Sequence, residues 1–344
     1  MPDLKANGCE IVFTIFARTT TDEQKWQLIF HDLLQAIRSE YKPNRPLQTL
    51  QHRSLAQDAS GHTRVSGATI SLPHPLSLQA CTLLTHTPAL QTLQTTHAIS
   101  LIIQPRSLHS LHRTHPGLAV FDMDSTLIQQ EVIDELARAV GRYDRVAAIT
   151  EAAMRGEAPY TDFSASLRAR VALLKGVPVS IWDELKRDVI TFTPGARELT
   201  RALRQLGWKT AVLSGGFTPL AEWVKETLGL DYAVANFLVA DEERGGVLTG
   251  ELVAGRPIID GQAKRELLVQ LAAENGVPIE RTIAVGDGSN DLLMMGVAGL
   301  GIAFNAKPKV QAAAPARLNG ESLLDVLYVL GYSQAEIRKL QQAA

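Results

Sequence analysis

Two short apolar runs that each end in an aspartate constrain this chain more than any other feature. GLAVFD (117–122) and RTIAVGD (281–287) show no polar alternation, as expected of strands covered on both faces. WKTAVLS (208–214) and GLGIAF (299–304) repeat the form, and helical stretches at 194–206, 217–228, 262–275 and 290–298 separate them. Strands alternating with helices force right-handed crossovers and therefore a doubly wound parallel α/β sheet. NFLVADEERGGVLTGELV (236–253) predicts a hairpin turning at Gly245-Gly246. Between Thr126 and Phe192 lie about four helical segments and no strand pattern, more than a connection needs. This stretch is read as a helical insert covering one end of the sheet.

The first 105 residues follow another pattern. EIVFTIFA (10–17) is a mostly apolar run, and Trp26, Ile29, Phe30, Leu33, Leu34 and Ile37 recur at helical spacing within 22–40. A strand near 46–52, GATISLP (67–73), a helical stretch within 76–95 and AISLIIQP (98–105) complete a β-α-β-β-α-β order. That order predicts a small ferredoxin-like α+β domain over 1–105. Residues 106–116 read as a linker, leaving 117–344 to the parallel sheet. His109, His112 and His115 are three residues apart and could share a metal-binding helix face, but a polar linker between Pro105 and Pro116 is the plainer reading.

Composition narrows the chemistry. The 344 residues carry 34 Lys/Arg and 36 Asp/Glu, a formal net charge of −2, so nucleic acid and anionic membranes are not expected partners. Two cysteines, Cys9 and Cys81, are too few for a disulfide scaffold and suggest a reducing compartment. The opening MPDLKANGCE has no basic stretch followed by an apolar one, and no apolar run nears the ~18 residues of a membrane helix. The expectation is a soluble, cytoplasmic protein. All nine histidines lie between His31 and His115. Chemistry placed in residues 116–344 can therefore use neither a His base nor a Cys nucleophile, which excludes Ser-His-Asp hydrolysis, Cys-based phosphatases and His-ligated zinc there.

Carboxylates, Lys, Arg and backbone amides remain. Asp122 closes the first strand of the sheet and Asp124 follows it, so alternation along an extended chain would put both on one side. Ligands of open α/β sheets bind at this end of the strands. Crowded carboxylates repel unless a cation or proton joins them, and a hard divalent ion such as Mg²⁺ suits an all-oxygen site. Alternatively, Asp122 only caps the following helix. GDGSND (286–291) strengthens the metal reading, because Asp287 ends another strand and, if the two strands are neighbours, meets Asp122 across the sheet. Asn290 and Asp291 would follow in a first helical turn. SGGF (214–217) offers a hydroxyl and free N–H groups suited to a phosphate oxygen, with no Walker lysine after it. Lys264 precedes the last acidic strand, where it could balance an aspartyl anion and a phosphoryl oxygen.

With FDMDSTLI (121–128), LSGGF (213–217), Lys264 and AVGDGSNDLLM (284–294) in this order, the chain resembles the haloacid dehalogenase superfamily of aspartate-nucleophile phosphatases. QQEVIDELA (129–137) and the insert over 149–178 resemble the helical cap of its phosphoserine phosphatase branch, and the likeness spans about residues 117–330 with a cap at about 129–192. It implies hydrolysis of O-phospho-L-serine to L-serine and phosphate with Mg²⁺ through an aspartyl-phosphate, the last step of serine biosynthesis. By resemblance Asp122 is the nucleophile and Asp124 the general acid and base. The metal is held by Asp122, the Asp124 carbonyl and Asp287, with Asn290 and Asp291 arranging the shell around it. Ser214, Gly215 and Lys264 bind the phosphoryl group. Glu131 takes the substrate ammonium, Arg170 its carboxylate, and Met154 and Phe163 line the pocket. The charges of Glu131 and Arg170 agree with those roles independently.

Some members of that branch carry ACT-like N-terminal domains of β-α-β-β-α-β form. Here the turn after the first strand reads ARTTTDEQ (17–24), without the Asp-Arg-Pro-Gly character of such domains, so a structural or dimerising role is expected rather than effector binding. Two other readings stay open: another small-molecule phosphatase or phosphotransferase of the superfamily, and an amino-acid-sensing module.

Overall fold

The computed structural model describes residues 9–41, 49–241, 243 and 245–342, so the first residues of the strand expected near 46–52 lie outside it. Four strands, β1 (Glu10–Thr21), β2 (Thr49–Gln57), β3 (Thr63–Ser71) and β4 (Ile99–Pro105), form an antiparallel sheet in the order β2-β3-β1-β4. Helices Glu23–Tyr41, Leu78–Thr85 and Pro88–His97 lie between its strands. The single helical stretch expected within 76–95 is thus two, because Thr87-Pro88 starts a new helix with Pro in its first turn. Ile11, Phe13 and Ile15 of β1 pack with Trp26, Ile29, Leu33 and Ile37 of the first helix. Phe16, Leu55, Val65 and Ile102 belong instead to the core shared with the parallel sheet. Strand β1 is covered on both faces, which is why EIVFTIFA does not alternate.

The stretch expected to be a linker is a helix, Arg106–Thr114, and it is packed. His112 is 1% exposed and its Nε2 lies 2.8 Å from the Glu280 carbonyl oxygen. Burial pulls His112 down to about 4, and burial together with Arg106 and Arg53 does the same to His109. Uncharged imidazoles of this kind are core side chains, and the histidine triplet forms no metal-holding group among the described residues. Further bonds tie the antiparallel sheet to the C-terminal segment: Arg64 reaches both Asp325 oxygens at 3.0 and 2.7 Å, and the Gln104 Nε2 donates to the Val329 carbonyl at 3.0 Å.

The second sheet contains β5 (Leu118–Phe121), β6 (Lys209–Phe217), β7 (Tyr232–Asn236), β10 (Thr282–Gly286), β11 (Leu300–Phe304) and β12 (Ala316–Leu318), with β8 (Leu238–Asp241) and β9 (Val247–Leu252) forming a separate hairpin. Its order is β12-β11-β10-β5-β6-β7, all parallel. The fold is the doubly wound parallel α/β sheet that the sequence predicts, with an added antiparallel sheet. Every residue of β5 is fully buried, as its unbroken apolar sequence requires. Phe121 pairs with Val285 on one side and Val212 on the other, so β5 and β10 end almost level with one another while β6 runs on to Phe217. The insert, with helices Val132–Ala139, Tyr143–Arg155, Phe163–Ala172 and Ile181–Glu184, leaves and rejoins the sheet through an Ile128–Phe192 bridge. Gln129 N–H donates to the Thr191 carbonyl at 2.9 Å beside that bridge.

The buried histidine predicts acid sensitivity. His112 binds a proton near 6.5 when unfolded and near 4 when folded, so its contribution is complete above 6.5 and lost as pH falls through 4. That contribution is about 3 kcal/mol. Urea unfolding of a His112→Gln variant should lose less stability than wild type between pH 7 and pH 4.5. Equal losses in the two proteins would contradict the assignment.

Candidate active site

The site is built where β5 stops. Asp122 N–H extends the ladder by one bond to the Val285 carbonyl at 2.9 Å, and its Oδ1 accepts from Met123 N–H at 2.7 Å. The chain then leaves the sheet in a tight turn closed by Ile128 N–H on the Met123 carbonyl at 3.0 Å. It is this turn, and not alternation along an extended strand, that aims Asp124. Ser125 sits at φ +54°, a left-handed conformation uncommon for a residue with a side chain, and its hydroxyl donates to Glu131 Oε1 at 2.8 Å.

Opposite Asp122, the helix Gly261–Glu274 begins at Asp260, whose carboxylate accepts from Ala263 N–H at 2.8 Å. Lys264, one turn in, is completely buried and holds Asp122 Oδ1 and Asp291 Oδ1, each at 2.7 Å. The other Asp291 oxygen accepts from Gly288 N–H at 3.0 Å. A β-carbon on Gly286 would lie 2.4 Å from the Asp291 carboxyl carbon, so only glycine fits there. Asp287 receives the Thr126 hydroxyl at 3.3 Å. Asp122, Asp287 and Asp291 each present an oxygen within 4.8 Å of the others.

The charges do not balance. Burial, then Asp291, pushes Asp122 well above the usual carboxylate range, with Lys264 opposing. Burial, then Glu131 and Asp122, does the same to Asp124. Burial and Asp291 bring Asp287 up to about 7. Lys264 is pulled down by burial, but Asp122 and Asp291 more than reverse this, so it stays an ammonium. Four acids thus share one lysine, and Asp124 Oδ1 is buried with no hydrogen-bond partner. A hard divalent cation among these oxygens fits the donor set and removes the repulsion.

The third wall is an irregular loop within β6, where the pairing with β7 shifts register between Leu213 and Phe217. Ser214 is fully buried; its Oγ accepts from Gly216 N–H at 2.8 Å, leaving its own proton to donate. A β-carbon on Gly216 would lie 3.0 Å from Asp124 Oδ2, and one on Gly215 would lie 3.0 Å from the Phe163 ring and 3.7 Å from Asn290 Nδ2. The insert therefore reaches the loop through Phe163. Arg170, on the same helix, donates to the Ser166 carbonyl at 3.3 Å and has no ion pair among the described residues. Burial lowers its pKa, while Glu131, Asp134 and Asp124 oppose the shift. Met154 stands apart at the rim, 58% exposed, where its sulfur accepts from Lys307 Nζ at 3.2 Å.

Asp122, Asp124, Asp287, Asp291, Asn290, Ser214, Gly215 and Lys264 thus converge, with Phe163, Glu131 and Arg170 on the insert side. Thr126 and Asn236 also belong to the site and have no counterpart in the sequence reading. Thr126 stands next to the acidic pair, a usable signal. Asn236 carried none.

Several known proteins resemble this chain. The family model of haloacid dehalogenase-like hydrolases matches residues 119–296. A phosphoserine phosphatase of Saccharomyces cerevisiae is 48% identical over 236 residues, 68% of this chain and 74% of its own length. A HAD family hydrolase from Salmonella enterica serovar Typhi superposes with a TM-score of 0.71 at 30% identity, covering 93% of this chain and 98% of that one. A structure described as a phospho-aspartyl intermediate analogue of phosphoserine phosphatase superposes with a TM-score of 0.56 at 42% identity, over 62% of this chain and 98% of its own.

Removing the lysine tests the charge arrangement. Lys264→Met leaves Asp122 and Asp291 buried without a cation and should destabilise the fold by about 3–5 kcal/mol in urea unfolding. A loss below about 1 kcal/mol would mean that the pairing does not hold these acids together.

Proposed function

This chain belongs to the haloacid dehalogenase-like hydrolase family, and from that premise we propose how its aspartate site hydrolyses O-phospho-L-serine to L-serine and phosphate. The observation that carries the reading is the state of the two acids at the end of β5. Asp122 has one oxygen fixed by Lys264 and Met123 N–H, while one Asp124 oxygen is buried beside it with no partner.

The first step is in-line attack of the free Asp122 oxygen on phosphorus. The bond from phosphorus to the seryl oxygen breaks, and Asp124, kept protonated by burial, gives its proton to the leaving oxygen. The product is an aspartyl-phosphate on Asp122 and free serine. In the second step the Asp124 carboxylate accepts a proton from water as its oxygen attacks phosphorus. Phosphate leaves, and Asp122 and Asp124 return to their starting states. Lys264, the Ser214 hydroxyl, the Gly215 amide and Asn290 hold the phosphoryl oxygens throughout, and stabilise charge that the reaction spreads over them.

Mg²⁺ is the proposed cofactor; bound by Asp122, Asp287 and the Asp124 carbonyl, it would neutralise phosphoryl and carboxylate charge together. Both oxygens of Asp291 are engaged by Lys264 and Gly288, which favours a supporting role for it over direct ligation.

Substrate choice is assigned to the insert. Arg170, half-buried and without an ion pair among the described residues, suits the amino-acid carboxylate, Glu131 its ammonium, and Phe163 the space between them and Gly215. Met154, at the rim, would meet substrate only as the insert closes. The antiparallel sheet is assigned a structural or dimerising role. No described helix is long and apolar enough to cross a membrane, and Cys9 and Cys81 are both unpaired, which supports a cytoplasmic location.

Phosphate release from O-phospho-L-serine should require Mg²⁺, stop in EDTA, and exceed release from phosphothreonine or a sugar phosphate. Asp122→Asn should lower turnover on the order of 10³-fold or more, and Asp124→Asn by about 10²–10⁴-fold. Arg170→Lys should act mainly on KM, because a point charge does not replace the planar fork. Activity on another phosphate ester alone would keep the aspartate chemistry and remove the roles given to Glu131 and Arg170. Wild-type turnover by Asp122→Asn would eliminate the nucleophile.

A further inference from the structure

Asn236 ends β7, away from every motif in the sequence, yet it is only 2% exposed and both ends of its amide are used. Its Nδ2 donates to the Gly215 carbonyl at 2.9 Å, and its Oδ1 accepts from Ile259 N–H at 3.0 Å. A carbonyl can only accept and an N–H can only donate, so the orientation of the amide is forced. The two partners lie in different walls of the site. Gly215 belongs to the irregular loop within β6, and Ile259 immediately precedes Asp260, which starts the helix of Lys264.

The first bond acts beyond the atom it touches. The Gly215 carbonyl and the Gly216 N–H are two sides of one rigid peptide plane, so holding the carbonyl holds the N–H. That N–H donates to Ser214 Oγ at 2.8 Å, which in turn directs the remaining hydroxyl proton. Glycine at 215 and 216 imposes little conformational preference of its own, so an external bond has to choose one. The second bond fixes where the Lys264 helix begins relative to that loop. The two segments are in contact, since a β-carbon on Gly215 would lie 3.6 Å from the Ile259 carbonyl oxygen.

We propose that Asn236 is a positioning residue for phosphoryl binding: its one side-chain amide sets the Ser214–Gly216 loop and the Lys264 helix in register. This rests on the phosphatase reading above. It further separates the two halves of the substrate, because Glu131 and Arg170, assigned to the amino-acid half, make no hydrogen bond to Asn236 or its partners among the described residues.

The test is inhibition of phosphoserine hydrolysis by orthovanadate or inorganic phosphate, which probes the phosphoryl half, and by L-serine, which probes the other. Asn236→Asp keeps the acceptor for Ile259 but turns an oxygen towards the Gly215 carbonyl. It should weaken vanadate and phosphate inhibition about tenfold or more and lower kcat, with L-serine inhibition within about twofold of wild type. Asn236→Ser, which removes the reach without adding charge, should shift the constants in the same sense and serves if the aspartate variant does not fold. Parallel loss of vanadate and L-serine inhibition, tracking a lowered urea midpoint, would show a structural role only and overturn the proposal. So would unchanged vanadate inhibition in either folded variant. A wild-type protein with no phosphoserine turnover and no vanadate binding would fail differently, by removing the phosphatase reading before Asn236 is reached.

Discussion

Everything at the catalytic end of this fold depends on one buried ammonium. Lys264 is surrounded by protein on all sides and bonds Asp122 and Asp291 at equal distance. Burial of a lysine is costly unless its charge is compensated, and burial of two carboxylates is costlier still. Each makes the others tolerable. The consequence is geometric: strand β5, the turn after β10 and the helix Gly261–Glu274 cannot shift independently without exposing an unpaired charge to an apolar core. Rigid charges are what phosphoryl transfer requires, since its barrier is lowered mainly by groups already in place. The same compensation is incomplete by design of the residue set, with Asp124 and Asp287 left over. That deficit fits the cation and the proton that the proposed reaction assigns to the site.

Much of this was legible because the residues concerned are consecutive. The four apolar runs located β5, β6, β10 and β11 to within a few residues at each end, since strands buried on both faces leave an uninterrupted hydrophobic record. The acids at their ends followed from the rule that parallel sheets bind ligands at their carboxyl edge. What escaped were edge elements. β7 is half-exposed over Tyr232–Val234, so its pattern is broken, and β12 has only three residues. The helix over Arg106–Thr114 escaped for a different reason. Histidine reads as polar in sequence, but a neutral buried imidazole behaves as a core side chain, as His112 does. Asn236 was illegible in principle. Its partners lie 21 and 23 residues away, and neither bond leaves a periodicity or a motif.

The antiparallel sheet shows how one strand can serve two cores. Strand β1 sends Ile11, Phe13 and Ile15 to its own helices and Phe16 towards the parallel sheet. With Arg64 on Asp325 and Gln104 on the Val329 carbonyl, the C-terminal segment is held between the two sheets. The pair of Arg64 and Asp325 is nearly inaccessible on its acidic side, so separating the sheets would strand a buried carboxylate. Such a joint transmits position well and permits little independent motion. It favours a role for the N-terminal sheet as part of the scaffold.

The insert poses the complementary problem. In the core Lys264 is paired with Asp122 and Asp291, whereas Arg170, half-buried, has no ion pair among the described residues. On the reading proposed above, a ligand carboxylate would pair with that guanidinium, and a ligand lacking one would leave it unpaired. Discrimination of this kind is steep, because it comes from an unpaired group and not from a slightly weaker contact. Size is another matter. Phosphothreonine differs from phosphoserine by one methyl group, and a hydrophobic wall separates such ligands by only about 1–3 kcal/mol. Phe163, whose ring lies 3.0 Å from where a Gly215 β-carbon would stand, is the side chain placed to supply that wall. On the proposed reading charge and size are met by different devices on the same helix: charge by the Arg170 guanidinium, size by the Phe163 ring against a glycine. The first should dominate against ligands without an amino-acid head, and the second alone acts among those that have one.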